Sequence, residues 1–350
     1  MPTNALPPRW FLGQPDAPHP DKPQVIEAIS RADLLGPELY EAEPGLAEAV
    51  NTALLLDQPL LVSGEPGTGK TQLAEKLALE LGLTPLFRFE TKSASVAQDL
   101  FYTFDHVARF HAASASRFDP VAASGGEATG HGPLHPLRFV EYHALGRAIL
   151  QSLPRDQAQA WFADGVLPTW YRGPQRGLVL IDEIDKAPSD FPNDALNEIE
   201  RHYFRLREFE GREVQAARSL RPVVVITSNS EKQLPDAFLR RCIFHHLAPI
   251  TGERLERIVL SRLSKSQGLT RGKLLDDAKA LFFELRSPQL DLRKKPSTAE
   301  FLSFVIALLR DGARSEQSLS PEMARSRLST LIKAPEDREA ALRSPRLATR

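Results

Sequence analysis

The chain has 350 residues, of which 42% are hydrophobic and 25% are charged, and its formal net charge is -1. This composition is typical of an ordinary globular protein with one large domain or two smaller ones, and the near-zero charge gives no global field that would recruit nucleic acid or an anionic membrane. The single cysteine, Cys242, excludes a disulfide within the chain, and no apolar run approaches the roughly 20 residues that a membrane span needs.

The chain begins with MPTNALPPRW, which lacks the basic segment and the following apolar segment of a secretory signal. With a single cysteine, which fits a reducing compartment, this beginning predicts a cytoplasmic protein. Residues 1–39 are rich in proline and predict an N-terminal arm. The arm is either extended, with Trp10 and Phe11 docked on the body, or a disordered leader.

Strand and helix patterns alternate between residues 40 and 250, and only helix patterns follow. The predicted strands are 59–62, 86–90, 177–182 and 222–229, with a hairpin at 204–216. The predicted helices are 43–56, 70–81, 96–110, 139–150, 155–162, 192–204, 252–263, 276–286 and 299–310, with a loop at 113–136. The segment 96–110 is either a continuous helix or a helix with an insert. This order predicts an α/β fold: a core at 40–250 with a parallel sheet flanked by helices, an all-helical segment at 251–312 and a C-terminal tail at 313–350.

The stretch SGEPGTGKT lies between a predicted strand and a predicted helix, and it matches the phosphate-loop pattern G-x-x-x-x-G-K-[ST]. Its glycines let backbone N–H groups turn toward the phosphates of a nucleotide, Lys70 reaches the β- and γ-phosphate oxygens, and the Thr71 hydroxyl coordinates Mg²⁺. The alternative is a glycine-rich turn without a ligand. The predicted nucleotide-binding residues are Gly64, Glu65, Pro66, Gly67, Thr68, Gly69, Lys70 and Thr71.

Two acidic residues, Asp182 and Glu183, end the apolar run LVLID. Ligands of open parallel sheets bind beyond the carboxyl ends of the strands, so this position predicts a role at the same nucleotide. Asp182 can hold Mg²⁺ through water, and Glu183 can deprotonate a water that attacks the γ-phosphorus, which favours hydrolysis over transfer to a second substrate. A solvated strand end is the alternative.

The strand VVVITSN ends in polar residues, and arginines follow shortly after it. A polar residue at this strand end would lie between the other two strand ends and face the attacking water, and Asn229 is the candidate. The alternative for Asn229 is a helix cap. Arg240 and Arg241 are either a solvated face or an arginine finger that stabilises the transition state on a neighbouring subunit's nucleotide.

Together these motifs resemble an AAA+ ATPase over most of residues 40–310. GEPGTGKT is similar to Walker A, VLIDEID to Walker B, ITSN to sensor 1 and LPDAFLRR to the segment with the arginine finger. ETKSASVAQDLFYTFD, DEIDKAPSDFPNDALNEIE and TSNSEKQLPDAFLRR are similar to the MoxR-type branch of the dynein-related subfamily. The resemblance implies a P-loop NTPase core, a helical lid at 251–312, Arg241 in the finger position and Arg240 as its neighbour.

The branch usually carries an arginine near the start of a lid helix, called sensor 2, where this chain reads LRKKPSTAEF. Ser297 and Glu300 predict a capping box, which places the cations at 293–295 just before a helix N-terminus whose field favours phosphate. Lys295 is our candidate for sensor 2 and for nucleotide binding. The alternative is three solvated cations.

The resemblance implies ATP and Mg²⁺ as ligands and a homo-oligomeric ring, with a hexamer favoured and ATP bound between subunits. It also implies remodelling or maturation of a separate partner protein, which in this family often carries a von Willebrand A-type domain. The chain lacks the N-K-x-D element of guanine-specific enzymes, which favours ATP. Two alternatives share the same site: an assembly switch or scaffold with slow turnover, and a nucleic-acid-directed motor, which the near-neutral charge disfavours.

Overall fold

The structure, a computed structural model, describes residues 36–118, 132 and 134–348. The predicted arm therefore lies outside the described residues except for 36–39, and so do Trp10, Phe11 and positions 119–131 of the predicted loop. The chain divides into two compact units. Within the described ranges, the α/β unit comprises residues 42–65 and 69–248, and the helical unit comprises 36–41, 66–68 and 249–348.

The strands and helices are numbered here in chain order. The strands are β1 (Leu60–Ser63), β2 (Leu86–Glu90), β3 (Tyr102–Phe104), β4 (Val140–Tyr142), β5 (Leu178–Asp182), β6 (Tyr203–Leu206), β7 (Arg212–Gln215), β8 (Val223–Ser228) and β9 (Ile243–His246). The helices are α1 (Leu46–Leu56), α2 (Lys70–Glu80), α3 (His106–Phe118), α4 (Ala144–Ser152), α5 (Arg155–Gln159), α6 (Phe191–Arg201), α7 (Asp236–Leu239), α8 (Gly252–Gln267), α9 (Lys273–Leu285), α10 (Thr298–Arg310), α11 (Pro321–Ser326) and α12 (Pro335–Leu342).

A five-stranded parallel sheet flanked by helices forms the centre of the α/β unit, in the order β2-β5-β8-β1-β9. The apolar runs of β5 and β8 fill its middle, and Leu178, Val179, Leu180 and Ile181 are fully buried. Such unbroken apolar strands are typical of a parallel sheet that is covered on both faces. β8 lies between β1 and β5, which confirms that its polar end falls between the two other strand ends.

Two segments that the sequence predicts as helices are partly strands. In 96–110, residues Tyr102–Phe104 form β3, and in 139–150, residues Val140–Tyr142 form β4, which pairs with β3 in antiparallel register. Aromatic and β-branched side chains favour strands once a partner is present, and this partner is some 40 residues away, outside any local window. Helix α3 also extends to Phe118, so the predicted loop begins later than 113.

The edge strand β9 was missed by the sequence analysis. Its four residues, IFHH, have alternating partial burial and pair with β1 from Leu60↔Ile243 to Ser63↔His246. Four residues with two histidines give little periodicity, and the strand exists because the edge of β1 is available to it. The predicted hairpin is confirmed by β6 and β7, which pair from Tyr203↔Gln215 to Leu206↔Arg212.

The helical unit has its own apolar core. Helices α8, α9 and α10 contribute Leu255, Phe282, Phe301 and other fully buried side chains. The segment that the sequence analysis treats as a separate tail adds to the same core, through Leu328, Leu331, Ala341 and Leu347. Within the described ranges, no helix combines the length and apolar character that crossing a bilayer requires.

A buried histidine near the amino ends of the central strands gives a first prediction. His202 is 2% exposed, and in the described part of the chain neither ring nitrogen has a hydrogen-bond partner. Burial lowers the pKa of His202 from 6.5 to about 4; Asp57, 3.6 Å away, opposes this shift, and Arg221 and Arg176 add to it. The unfolded chain therefore binds more protons than the folded chain between these two values, and stability falls as the pH falls through this window.

We expect the free energy of unfolding to drop by about 2 kcal/mol between pH 7 and pH 5 on account of His202. His202→Asn should remove this part of the pH dependence, since asparagine tolerates the left-handed backbone at this position, where φ is 55°. Urea unfolding followed by fluorescence of Trp161 and Trp170 measures it, with His106→Asn, whose side chain is 74% exposed, as the control. An equal pH dependence in wild type and His202→Asn would contradict the assignment.

Candidate functional site

The loop after β1 turns directly into helix α2. Gly64 and Gly69, the two glycines of the motif, have φ angles of 151° and 93°, and Gly67 between them has 78°, all in a region that side chains with a Cβ rarely adopt. Gly69 is also the N-cap of α2, so the helix begins at Lys70. The glycine spacing of the motif therefore matches a backbone requirement, and it places the positive end of an 11-residue helix at the end of the loop.

The ammonium of Lys70 lies inside this loop. The residue is 6% exposed, and its Nζ donates to the carbonyl oxygens of Gly64, at 2.7 Å, and Glu65, at 2.9 Å. Burial lowers the pKa of Lys70, while the nearby carboxylates of Asp185 and Asp182 act in the opposite direction. The arrangement concentrates one positive charge and the end of a helix at a single point, which is suited to an anionic ligand.

The ends of β5 and β8 meet the start of α2 through oxygen atoms. The Thr71 hydroxyl donates to the Asp182 carboxylate, with distances of 3.1 and 3.3 Å to its two oxygens. The Thr227 hydroxyl donates to Asp182 Oδ1 at 2.6 Å. Mg²⁺ prefers oxygen ligands and is commonly held by one or two carboxylates together with substrate phosphates, so Thr71 and Asp182 fit such a cation. Among the described residues, no group of three or more His, Cys, Asp or Glu side chains is placed to hold a metal.

Glu183 is held at three points. Its backbone, with φ at 55°, donates an N–H to Thr227 Oγ1 at 2.8 Å. Asn229 Nδ2 donates to Glu183 Oε1 at 2.8 Å, and the Lys186 ammonium pairs with Oε2. Partial burial raises the pKa of Glu183, but the bonds from Lys186 and Asn229 outweigh it, and the pKa is lowered. Glu183 is thus an ionised acceptor with a fixed orientation, and a carboxylate of this kind can take a proton from a water.

The structure decides between the two interpretations of Asn229. Helix α7 has Pro235 as its N-cap, so Asn229 does not cap the following helix. Its side chain instead contacts Glu183, and its backbone N–H donates to Asp185 Oδ1 at 3.1 Å. The polar end of β8 is therefore part of the same cluster as the acidic end of β5.

Three residues of this cluster were missed by the sequence analysis: Thr227, Asp185 and Lys186. Thr227 connects Asp182 with Glu183, Asp185 is 2% exposed and holds the loop after β8, and Lys186 pairs with Glu183. The sequence offered one signal for Thr227, since it ends the same strand as Asn229 and is two residues away, on the same face. For Asp185 and Lys186 the sequence shows only charged residues after a strand. The partners of Asp185 lie about 45 positions away, and the pairing of Lys186 with Glu183 depends on the geometry of the turn between them.

The two arginines lie just after α7 and are exposed. Arg241 Nε pairs with Glu200 Oε2 at 3.1 Å, and the two side chains are 46% and 49% exposed. In the described ranges, the ion pair of Arg241 is thus made with α6 rather than with the cluster around Asp182. This contact gives Arg241 no role in the cluster around Asp182 of its own subunit. Its exposed position is compatible with action on a second subunit.

Lys295 belongs to the helical unit and is exposed. The capping box that the sequence predicts is confirmed, because Ser297 Oγ accepts from the Glu300 N–H and Glu300 Oε2 accepts from the Ser297 N–H. The segment before it is fixed by the buried Asp337, which accepts the N–H groups of Arg293 and Lys294 at 2.9 and 3.0 Å. The choice of Lys295 as sensor 2 stays a prediction.

Comparison with models of protein families finds none that matches this chain, and comparison with curated proteins finds no match.

Proposed function

We propose that this chain is a Mg²⁺-dependent ATPase of the AAA+ type, from the MoxR-type branch, and that it assembles into a ring to remodel or mature a partner protein. The observation that carries the proposal is the convergence of six side chains at one edge of the sheet. They come from the helix after β1 and from the ends of β5 and β8: Lys70, Thr71, Asp182, Glu183, Thr227 and Asn229.

Each residue has a role that follows from its contacts. Lys70, at the start of α2, binds phosphate oxygens together with the loop N–H groups. Thr71 and Asp182 would hold Mg²⁺, which when bound neutralises charge on the phosphates. Glu183 accepts the proton of the attacking water, and Asn229 keeps its carboxylate oriented toward that water.

The carboxylate at position 183 is the reason to propose hydrolysis. A transferase that positions a second substrate's hydroxyl has to exclude water, whereas this site keeps an ionised carboxylate that is 37% exposed beside the proposed cation site. The order of the strands supports the same reading, because β8 between β1 and β5 brings Asn229 within reach of Glu183.

ATP as the nucleotide, the ring and the partner protein rest on the sequence resemblance. The two exposed arginines after α7 support assembly, since an arginine finger needs to project from one subunit toward another. The first test is hydrolysis: the purified full chain should release phosphate from ATP in the presence of Mg²⁺ and much less from GTP. No Mg²⁺-dependent release above the background of a Lys70→Ala preparation would reject the proposal.

The partner is identified with a trapped form. Glu183→Gln loaded with ATP is used as bait in extract of the native cell, with Lys70→Ala as the control, and bound protein and nucleic acid are both analysed. A protein enriched only on the trap supports remodelling. Nucleic acid on the trap would instead favour the motor, and an ATP-dependent assembly without either would favour the switch or scaffold.

We expect Arg241→Ala to lower turnover by about 100-fold or more, while each subunit keeps its own affinity for ATP. The reason is that a finger acts on the transition state in a neighbouring subunit and not on the nucleotide of its own. The matched control is Glu200→Gln, which breaks the ion pair at 3.1 Å but leaves the guanidinium in place.

Steady-state phosphate release and equilibrium binding of ATP separate the two effects. Equal losses in Arg241→Ala and Glu200→Gln would show that the ion pair is structural, and unchanged turnover in Arg241→Ala would remove it as the finger. Arg240→Ala is then the next variant, because Arg240 is the neighbouring candidate.

A further inference from the structure

We infer that Asp185 is a positioning residue for the hydrolysis proposed above: it fixes the backbone of Asn229 and thereby the contact between Asn229 and Glu183. The inference rests on the proposed function, since it concerns the orientation of the residue that accepts the proton. Both oxygens of this carboxylate accept backbone N–H groups, so Asp185 acts through another residue rather than on the reacting atoms.

Asp185 is a buried charge with both of its oxygens in use. It is 2% exposed, and its Oδ1 and Oδ2 accept the backbone N–H groups of Asn229 at 3.1 Å and Glu231 at 3.0 Å. Burying a carboxylate is costly unless such donors satisfy it, and hydrogen bonds to a charged acceptor are stronger than neutral ones. Asp185 therefore holds the backbone at residues 229 and 231.

The hydrogen bonds of Asp185, Asn229 and Glu183 form a closed network between the loops after β5 and β8. Asp185 lies two residues after Glu183, within the short 3-10 helix Ile184–Lys186. Asp185 accepts the backbone N–H of Asn229, and the side chain of Asn229 in turn donates to Glu183 Oε1 at 2.8 Å. This closed network leaves the Glu183 carboxylate little freedom to move. A catalytic base acts efficiently only when its position is held to within a fraction of an ångström.

A second bridge joins the same two loops. Lys232 Nζ donates to the carbonyl oxygens of Lys186 at 3.3 Å and Ala187 at 3.0 Å. This bridge does not involve Asn229 or Glu183. Removal of the Asp185 carboxylate is therefore expected to loosen residues 229–231 rather than separate the loops.

The experiment compares steady-state kinetics of the full chain and its variants. Asp185→Ala should lower kcat for ATP hydrolysis by about 10- to 100-fold, because the base loses its orientation. KM should not rise, because the carboxylate near Lys70 that is removed opposes the positive charge of that ammonium. Asp185→Asn should recover part of kcat, since its one remaining oxygen can still accept an N–H group. Asp99→Asn is the matched control, because Asp99 also accepts a backbone N–H, from Val96 at 2.9 Å, but within the segment before β3 and not between the loops after β5 and β8.

Asn229→Ala distinguishes positioning from a general loss of structure. If Asp185 acts through Asn229, then Asp185→Ala should cost less than about twofold in kcat when Asn229 is already alanine. Additive losses would overturn the inference, and so would wild-type kcat in Asp185→Ala. If Asp185→Ala does not fold, as judged by its melting curve, the same cycle is run with Asp185→Asn.

An activity-independent readout keeps this inference separate from the proposed function. Hydrogen exchange of the amides of Asn229 and Glu231 should be faster in Asp185→Asn than in wild type, and unchanged exchange at both would overturn the inference whatever the kinetics show. Failure of wild type to hydrolyse ATP in a Lys70-dependent manner would instead reject the proposed function.

Discussion

Glu183→Gln is expected to bind ATP with wild-type affinity and to hydrolyse it at least about 100-fold more slowly. Glutamine has nearly the same shape, and its amide oxygen can still accept from Asn229 Nδ2, which contacts Glu183 Oε1 at 2.8 Å. The amide cannot take a proton from water, so the chemical step fails. The affinity is kept because phosphate binding is assigned to the loop before α2 and not to Glu183.

Equilibrium binding of ATP and single-turnover phosphate release measure the two halves of this prediction. The control is Glu231→Gln, which neutralises an exposed carboxylate in the loop after β8 while its backbone N–H still reaches Asp185. We expect wild-type turnover in the control. Hydrolysis by Glu183→Gln at more than a tenth of the wild-type rate would mean that another group accepts the proton.

Lys70→Ala is expected to lower the affinity for ATP by about 100-fold or more, which corresponds to about 2.7 kcal/mol. The substitution removes a buried positive charge at the helix N-terminus, where the loop N–H groups alone would then have to bind the phosphates. Calorimetric titration of ATP measures the loss. Wild-type affinity or full ATPase activity in this variant would reject the loop as the nucleotide site.

The matched control for Lys70 lies on the same helix. Lys76, which is partly buried, pairs with the exposed Glu80 at 3.1 Å, so Lys76→Ala removes one lysine from α2 outside the loop. We expect its affinity for ATP to be unchanged. Lys70→Met, which fills the same volume without the charge, guards against a fold defect and should lose affinity as Lys70→Ala does.

The parallel sheet could be predicted because its inner strands carry their own signal. The runs PLLV, LVLI and VVVI are apolar over their whole length, and β2 has the predicted bounds, 86–90. The short strands β3, β4 and β9 could not be predicted, since each has three or four residues and exists only because a distant partner pairs with it. Similarly, the segment after 313 has weak helical periodicity, and only the packed unit shows that Leu328 and Leu347 belong to a core.

The residues of the candidate site also fall into those that the sequence could predict and those that it could not. Residues that would touch a nucleotide, such as Lys70 and Asp182, could be named from the sequence because phosphate chemistry requires those residue types at that spacing. Residues that hold these in place could not, because Thr227 and Asp185 act through contacts with residues about 45 positions away. Any buried polar residue can hold a site residue in place, and only the structure shows which one does.

In this structure the Lys70 ammonium donates to the carbonyl oxygens of Gly64 and Glu65, so the loop itself supplies the partners of its lysine. If the loop binds a nucleotide as proposed, its phosphates compete with these carbonyls for the Lys70 ammonium, and the affinity is then the difference between two sets of contacts. On the same proposal, the carbonyls can take up the ammonium again when the product leaves. The buried charge would then have partners in both the loaded and the empty loop.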